Sequence, residues 1–538
     1  MDVIIRGGLI VDGTGAKPFV GDVGIEGDRI AAIAPHLDAK AEREVYAAGK
    51  IVIPGLIDPH VHEEWICLID GAYELFMRQG VSTVVNGNCG HSIAPGPRDN
   101  IIEYYYGNGL MSERQRDVYK KRFPEWNDFD GYAKAVEKAG TNLNMCTLLG
   151  HGTIRWSVMH GAVDRPPTQE EAAQIEKIIR HNMEQGAWGI SYGLDYVPSR
   201  YAKPDELAET AGIVAEYDGV AAAHLRHSIG VLNATREFLQ VGRESGCKLE
   251  ISHLRSTSPE SFKAVQDYIE AGGRALIDTI PATTAHCQSK DRALLFMMST
   301  CDELFDQGLE GIKKVIRTPE GRAILRNDPY FINRDQNLNV LCMTEDPALE
   351  GKTVAEAAGD QDPKEFLMDL LAGDKDFVLW AGGANRPDFS MKSHTAEMRA
   401  NPYVCAGSDE ILGDPEMPFD WYELRRRGAM PIFIQEYRKQ GMPLEEIIRR
   451  NTSMVADHFD IEDRGRLQPG KFADVAVIDL ERYHYPNYKD PDCRNATCMA
   501  EGVEHLFVNG VATVRDGEVL KSMPGRVLRH RAKKGDKA

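Results

Sequence analysis

Short apolar runs alternate with amphipathic stretches through the middle of the chain. Each run is bounded by glycine, proline or polar residues, a pattern that predicts buried strands of a parallel sheet. The predicted strands span 56–62, 81–85, 143–149, 189–192, 220–225, 249–253, 275–279 and 403–408. Because helical patterns lie between most of these eight strands, we predict an α/β fold with a closed parallel barrel, whose catalytic residues lie at the carboxyl ends of the strands.

Two of the intervening helices carry clear start signals. Thr168 is followed three residues later by Glu171, which predicts a capping box, and apolar residues then recur along one helical face. Ser258-Pro259 predicts a second helix, since proline suits the first helical position. Both patterns support a strand–helix–strand repeat.

The two ends of the chain read as short strands joined by tight turns. The front pattern covers 3–11, 23–25 and 29–33, and the back pattern covers 473–480, 506–508 and 511–514. Two strand-rich ends around a long middle predict one small β domain assembled from both termini.

Two segments interrupt the alternation. Residues 99–140 are rich in aromatic side chains, and residues 281–402 form an insertion before the last predicted strand. Each is open to being a lid, an oligomer contact or a small subdomain. The basic tail, 526–538, is expected to be frayed.

Composition narrows the function classes. A formal net charge of -19 argues against nucleic-acid binding, which depends on Lys and Arg. No stretch approaches the run of apolar residues that a membrane span requires, and the amino terminus reads as a strand and not as a signal peptide, so we expect a cytoplasmic protein. The ten cysteines are scattered, so most are expected to be reduced and buried. Cys89 is the exception, because it lies in a loop at the end of a strand.

Candidate metal ligands stand at the ends of the predicted strands. His60 and His62 share one side of an extended strand, because side chains alternate in direction. Imidazole and thiolate are the ligands that zinc prefers, and a catalytic zinc site keeps one position open for water. The other candidates at strand ends are Cys89, His224, His253 and Asp409.

Several motifs together resemble the amidohydrolase superfamily and, within it, the N-acyl-D-amino-acid deacylases (D-aminoacylases). The superfamily pattern is carried by Pro-Gly-Leu-Ile-Asp-Pro-His-Val-His at 54–62 and Arg-Gly-Arg-Leu-Gln-Pro-Gly-Lys-Phe-Ala-Asp at 464–474. The deacylase pattern is carried by the segments 85–90, 150–155, 193–198, 224–226 and 252–253, in that order.

The resemblance implies a TIM-like (β/α)8 barrel at 55–465, with the insertion at about 281–402 before its last strand, and a β-sandwich from 1–54 and 466–525. It implies that Cys89, His224 and His253 hold a tight zinc ion, and that His60 and His62 form a weaker second metal position. Hydantoinase-type relatives use a carboxylated lysine from the fourth strand as a metal bridge. The segment 186–194 has no lysine, so Cys89 would take that place.

The expected chemistry is hydrolysis of an amide carbon-nitrogen bond in a small-molecule substrate. Zinc lowers the pKa of its water from about 15.7 towards about 7 and polarises the carbonyl. The resemblance makes Asp409 the acid/base, which would take the proton from water and return it to the leaving nitrogen. Homo-oligomerisation stays open.

The substrate pocket departs from the family pattern. Family deacylases hold the substrate carboxylate with a lysine, a tyrosine and an arginine; here Arg255 replaces the lysine, 279–282 lacks the tyrosine, and no arginine follows Asp409 in 410–419. Candidate substrate contacts are therefore Arg255, His151 and Arg226, with His227 and His286 as further possibilities. Acidic residues gained after Asp409 would suit a neutral or cationic substrate. The alternatives are a cyclic amide or ureide hydrolase of the hydantoinase type and, more remotely, a non-catalytic scaffold.

Overall fold

The computed structural model describes residues 1–531 apart from several gaps. The gaps are 63, 109, 162, 255–257, 282–284, 301–307, 329–330, 334, 338, 343, 383–395, 412–413, 415, 418–427 and 486–498. The strands are β1 Val3–Ile10, β2 Phe19–Glu26, β3 Arg29–Ala34, β4 Arg43–Tyr46, β5 Ile51–Pro54, β6 Leu56–Asp58, β7 Val81–Asn86, β8 Asn144–Thr147, β9 Leu149–Gly150, β10 Gly189–Gly193, β11 Val220–His224, β12 Lys248–Ile251, β13 Ala275–Thr279, β14 Ala285–Ser289, β15 Asn339–Cys342, β16 Val378–Gly382, β17 Val404–Ala406, β18 Val475–Ile478, β19 Val503–Val508, β20 Val511–Arg515 and β21 Glu518–Val519.

Helices separate most of the central strands. They are α1 Glu74–Met77, α2 Arg98–Gly107, α3 Glu113–Arg122, α4 Phe129–Ala139, α5 His151–Met159, α6 Gln169–Glu184, α7 Pro204–Ala215, α8 Val231–Ser245, α9 Pro259–Glu270, α10 Lys290–Thr300, α11 Gly308–Val315, α12 Pro319–Leu325, α13 Val354–Ala358, α14 Pro363–Ala372, α15 Ala396–Ala400, α16 Ala429–Lys439, α17 Leu444–Arg450 and α18 Ser453–Phe459, with short 3-10 turns at Ile66–Leu68, Ser199–Tyr201 and His227–Ile229.

The central strands are parallel and follow the predicted order. One sheet has the order β6-β7-β8, and a second has the order β9-β10-β11-β12-β13-β17. A single residue, Leu148, separates β8 from β9, and a parallel bridge joins Val61 to Glu410 beyond β6 and β17. The predicted α/β fold of parallel strands is therefore confirmed.

The first central strand is shorter than predicted. It ends at Asp58, so His60 and His62 lie beyond it and not within it. Pro59 is the physical reason, because proline has no N–H to contribute to a strand ladder. The chain stays anchored through the backbone N–H of His62, which donates to the carbonyl of Glu410 at 2.9 Å.

Both predicted helix starts are confirmed. The Thr168 hydroxyl accepts from the backbone N–H of Glu171, the Glu171 side chain accepts from the N–H of Thr168, and α6 buries Ile175, Ile179 and Met183 on one face. Helix α9 begins at Pro259, as the sequence indicates. Both helices bury their apolar faces in the same core as the parallel strands.

Strands from both termini form one nine-stranded sheet. Its order is β21-β20-β19-β18-β5-β1-β2-β3, with β4 beside β1. The antiparallel pairing of β5 with β18 joins the front of the chain to the back. A core of apolar residues lies on this sheet, including Ile5, Val23, Val475 and Phe507. The predicted association of the two ends is confirmed.

A buried polar cluster connects the terminal sheet to the central strands. The Arg464 guanidinium pairs with the Asp474 carboxylate and donates to Asn509, and Asn509 donates to the Asn144 side chain of β8 at 2.8 Å. The side chains of Arg464 and Asp474 are 2% and 3% exposed, so this charge pair is held inside the protein.

The start of the basic tail is ordered, and the expectation of a frayed segment is wrong for residues 526–531. The backbone N–H groups of Leu528 and His530 donate to the carbonyls of Met145 and Gly186, and the Trp188 indole donates to Leu528. Residues 532–538 lie outside the described part of the chain.

The two interrupting segments have different structures. Within 99–140, aromatic side chains of α2, of α3 and of the segment after α3 pack around Trp65; they are Tyr105, Tyr119, Phe123 and Trp126. The insertion contains the antiparallel sheet β14-β16-β15 and, in its described part, its own apolar core with Leu294, Phe331 and Leu367. No described helix is long and apolar enough to cross a bilayer.

Candidate metal centre

Six of the predicted site residues converge at the carboxyl ends of the parallel strands. Cys89 follows β7, His224 ends β11, His253 follows β12 and Asp409 follows β17. His60 and His62 lie just beyond β6, with their ring centroids 5.4 Å apart. The structure thus brings together every predicted metal ligand and the predicted acid/base.

Cys89, His224 and His253 form one set of donors. The Cys89 Sγ lies 3.6 Å from His253 Nε2 and 4.0 Å from His224 Nδ1, and the two nitrogens are 2.9 Å apart. A tetrahedral zinc ion with ordinary bond lengths separates sulfur and nitrogen ligands by about 3.5 Å and two nitrogens by about 3.3 Å. Because each observed separation lies within about half an ångström of these values, the donor set fits zinc.

A second donor set shares the same sulfur. His60, His62 and Cys89 each place a possible ligand atom within 4.8 Å of the others. The Cys89 Sγ is 3.4 Å from His60 Nε2. The Cys89 sulfur therefore belongs to both donor sets.

Three of these residues have a left-handed backbone conformation, which sets the direction of their side chains. Cys89, His253 and Asp409 have φ values of 52°, 36° and 49°. A non-glycine residue rarely adopts this conformation, and such strain concentrates at functional sites. Gly90, next to Cys89, has a φ of 76°, and a Cβ there would lie 2.6 Å from the backbone nitrogen of Gly193. The turn that contains Cys89 therefore packs closely against the end of β10.

Asp409 lies beside both histidines of the second set. Its Oδ1 is 3.2 Å from His62 Nε2 and 3.6 Å from His60 Nε2, and its backbone N–H donates to the His60 carbonyl at 2.7 Å. The residue is 7% exposed, so the carboxylate works in a largely water-excluded environment. This position suits a group that moves protons at the metal centre.

Two further carboxylates lie behind the ligand histidines. Asp278 contacts His60 Nδ1 at 2.9 Å, and Asp195 contacts His224 Nε2 at 3.3 Å. In each ring the other nitrogen faces Cys89. Carboxylates placed in this way orient metal-ligating imidazoles.

The charges at the centre favour the ionised form of Cys89. Burial would raise the pKa of the Cys89 thiol, but the surrounding imidazoles, first that of His60, lower it well below its usual value. Burial lowers the pKa of histidines, yet the hydrogen bond to Asp195 raises the pKa of His224 to about 9, and Asp409 helps to raise that of His62 to about 9. Burial lowers the pKa of His253. These shifts favour a Cys89 thiolate, and a metal ion would have to displace the protons that the raised pKa values keep on His62 and His224.

Tyr196 and His91 line the same region. The Tyr196 hydroxyl is 3.3 Å from His224 Nδ1, and its ring lies 5.3 Å from that of His91. Burial raises the pKa of Tyr196 well above its usual value, so the phenol keeps its proton. Burial lowers the pKa of His91 to about 3, so this ring is neutral. Both side chains present uncharged polar groups next to the donor set.

Two of the three predicted substrate contacts, His151 and Arg226, interact with other residues of the protein. His151 is buried, with Nδ1 at 2.9 Å from the Ser199 hydroxyl and Nε2 at 3.1 Å from Glu206. Arg226 pairs with Glu237 at 3.1 Å and donates to backbone carbonyls. The structure thus gives both residues partners within the chain, and Arg255 lies outside the described residues.

Two of the three acidic residues after Asp409 have partners on helix α3. Asp414, which is buried, accepts a hydrogen bond from the Tyr119 hydroxyl at 3.2 Å, and Glu416 pairs with Arg122 at 2.9 Å. The argument from Asp414 and Glu416 for a neutral or cationic substrate is therefore weakened, because both already have partners on α3.

Sequence reasoning missed three residues of the centre. Asp195 and Tyr196 belong to the motif at 193–198, and Asp278 lies in the predicted seventh strand, but no role was given to them. The position of Asp195 two residues after a strand end is the signal that could have found it, since β10 and β11 align Gly193 with His224.

Comparison with known proteins gives one family. The sequence pattern of the amidohydrolase family matches residues 43–291. An allantoinase of Rubrobacter xylanophilus is 46% identical over 564 residues, which cover 100% of this chain and 99% of that protein. An N-acyl-D-glutamate deacylase of Alcaligenes xylosoxydans xylosoxydans is 28% identical, with 99% of this chain and 97% of the relative covered. The crystal structure of N-acyl-D-glutamate deacylase from Bordetella bronchiseptica, complexed with zinc and a phosphonate inhibitor, has a TM-score of 0.75 at 25% identity and covers 98% of this chain and 99% of its own.

Proposed function

Because this chain belongs to the amidohydrolase family, we propose that it is a zinc-dependent hydrolase of an amide carbon-nitrogen bond, of the N-acyl-D-amino-acid deacylase type. The observation that carries the proposal is the donor set of Cys89, His224 and His253 with Asp409 beside it. Full-length similarity to a deacylase, and a deacylase structure holding zinc and a mimic of the tetrahedral intermediate, support the same reaction.

The metal would be held by Cys89, His224 and His253, with His60 and His62 at a weaker second position. When bound, zinc supplies Lewis acidity and lowers the pKa of a water molecule from about 15.7 towards about 7. The donor set leaves one tetrahedral position open, as a catalytic site requires.

The protein's own groups perform the proton transfers. Asp409 takes a proton from the attacking water at Oδ1 and returns it to the leaving nitrogen, which is a poor leaving group unless protonated. The Tyr196 hydroxyl, protonated and next to His224, is placed to donate a hydrogen bond where negative charge develops on the carbonyl oxygen. The buried position of both groups strengthens these interactions.

The finer architecture is part of the proposal. We propose that the eight central strands close as a TIM-like barrel at 55–465 with 281–402 inserted, and that 1–54 and 466–525 form a β-sandwich. The bridge from Val61 to Glu410, together with the single-residue gap at Leu148, supports closure. Closure would bring the ends of β6, β7, β11, β12 and β17 to one mouth.

A second candidate is hydrolysis of a cyclic ureide. Two observations favour it: the allantoinase similarity at 46% identity, and the segment Thr279-Ile280-Pro281, where family deacylases carry a tyrosine that holds the substrate carboxylate. Allantoin is a cyclic ureide without a carboxylate. The same metal and aspartate would serve this substrate.

The test is a substrate panel with the zinc-loaded enzyme. N-acyl-D-amino acids, N-acyl-L-amino acids, hydantoins and allantoin are compared by kcat/KM at equal zinc content. Turnover of N-acyl-D-amino acids supports the deacylase proposal, and turnover of ring substrates alone supports the second candidate. Failure to hydrolyse any of the four classes contradicts both.

A further inference from the structure

Asp195 is the common acceptor for several donors next to the metal centre. Its Oδ2 lies 3.3 Å from His224 Nε2 and 3.1 Å from His227 Nδ1, and it accepts from the backbone N–H of His227 at 3.3 Å. Its Oδ1 accepts from the backbone N–H of Ser228 at 3.4 Å. The two backbone partners are N–H donors, and each ring nitrogen donates in the tautomer that carries its proton there, so the position suits a group that only accepts.

The fold sets this contact through the pairing of two strands. β10 and β11 align Gly193 with His224, and the backbone N–H of Leu194 donates to the His224 carbonyl at 2.9 Å. Asp195 follows directly and therefore reaches the far side of the His224 ring. The side chain of Asp195 is 27% exposed and that of His224 is 10% exposed.

The two nitrogens of His224 have opposite surroundings. Nδ1 faces the Cys89 sulfur at 4.0 Å and His253 Nε2 at 2.9 Å, whereas Nε2 faces Asp195. A neutral imidazole has one lone pair and one N–H, so ligation through Nδ1 requires the proton on Nε2. A carboxylate next to Nε2 favours that tautomer over the other.

We propose that Asp195 is a positioning residue that holds His224 in its Nδ1-ligating tautomer and so sets the zinc affinity of the centre. The inference rests on the proposed function, since it assumes that Cys89, His224 and His253 bind the metal. It adds a residue to which no role has been given.

The same contacts argue against a separate cation site at Asp195. Asp195, His224 and His227 place possible ligand atoms within 4.8 Å of one another. A cation there would need the lone pair of His224 Nε2, which is absent in the tautomer that ligates through Nδ1. A His224 ring that ligates zinc through Nδ1 therefore cannot bind a second cation through Nε2.

Asp278 and His60 form a second pair of this type, but they are a poorer test. Both side chains are 0% exposed, so removing the Asp278 charge would disturb folding as well as ligation. The Asp195 side chain is 27% exposed, so we expect an isosteric change there to disturb folding less.

The experiment compares zinc affinity by competition with a chromophoric chelator, taken for each protein from the plateau at high pH where protons no longer compete with the metal. Asp195→Asn places an amide N–H₂ against N–H donors in either orientation of the amide, and we expect zinc to bind about 10- to 100-fold more weakly. The visible spectrum of the cobalt-loaded variant should also differ from that of wild type, because the His224 ligand is misoriented. Asp205→Asn, at an exposed position in the first turn of α7, is the matched control and should bind zinc as wild type does.

The outcomes distinguish a failure of the Asp195 role from a failure of the proposed zinc site. Equal zinc affinity and equal cobalt spectra for Asp195→Asn and wild type overturn the positioning role. If Asp195→Asn does not fold, the pair Asp195→Glu and Asp195→Gln provides the comparison: tighter binding by the glutamate variant supports the role, and equal binding overturns it. A wild-type protein that binds no zinc contradicts the proposed function itself.

Discussion

Replacing Asp409 with asparagine tests the proton-transfer role most sharply. The change keeps the size of the side chain and removes its ability to accept a proton. Asparagine also tolerates the left-handed backbone of this residue, whose φ is 49°, so the loop should keep its shape. Because Oδ1 lies 3.2 Å from His62 and outside the tight donor set, zinc should remain bound through Cys89, His224 and His253.

The expected loss follows from the value of a positioned acid/base. Such a group accelerates proton transfer by about 10²- to 10⁴-fold. At about 1.36 kcal/mol per factor of ten, Asp409→Asn should raise the activation barrier by about 3 to 5 kcal/mol. The loss should appear mainly in kcat, since the proton moves during reaction and not during binding.

The assay measures kcat and KM together with zinc content and melting temperature. Glu416→Gln is the matched control, because Glu416 lies seven positions along the same segment and its side chain is 67% exposed in a surface pair with Arg122. It should leave kcat unchanged. A kcat for Asp409→Asn within about tenfold of wild type, at full zinc content, would refute the assigned role.

Four further predictions address the ligands and the fold. Cys89→Ala should lose both zinc and turnover, as metal analysis and activity assays will check; full activity would mean that the bridging assignment is wrong. The pKa of His224 is raised to about 9, so zinc must displace a proton at pH 7. Zinc affinity measured by titration should therefore rise as the pH increases to about 9 and then level off. A zinc affinity independent of pH would contradict this. Arg464→Met leaves the Asp474 charge buried and should lower the free energy of unfolding by about 3–5 kcal/mol in denaturant titrations, and a loss under about 1 kcal/mol would count against the cluster. Thr168→Ala removes the cap of α6 and should cost about 1 kcal/mol in the same assay, whereas an unchanged midpoint would argue against the capping box.

Much of the fold was accessible from sequence because local signals agree with the tertiary structure. The run ending at His224 is buried on both faces, so it reads as a continuous apolar strand. The capping box at Thr168 is a contact within four residues and needs no tertiary information. The predicted length of β6 was wrong, because Pro59 ends the hydrogen-bond ladder of the strand. His60 and His62 nevertheless reach the metal centre.

The residues around the ligands were harder to predict, since their partners are distant in sequence. Asp278 contacts His60 across 218 positions, and Tyr119 contacts Asp414 across 295. No periodicity or local motif encodes such pairs. The acids after Asp409 consequently looked like substrate contacts, whereas the structure gives Asp414 a partner on α3.

The central claim is a zinc ion held by Cys89, His224 and His253. The direct measurement is anomalous X-ray diffraction at the zinc absorption edge from crystals of the zinc-loaded protein. We predict a peak about 2.3 Å from the Cys89 sulfur and about 2.0–2.1 Å from His224 Nδ1 and His253 Nε2. A zinc peak bound elsewhere, or no peak near Cys89 in fully loaded crystals, would contradict the account.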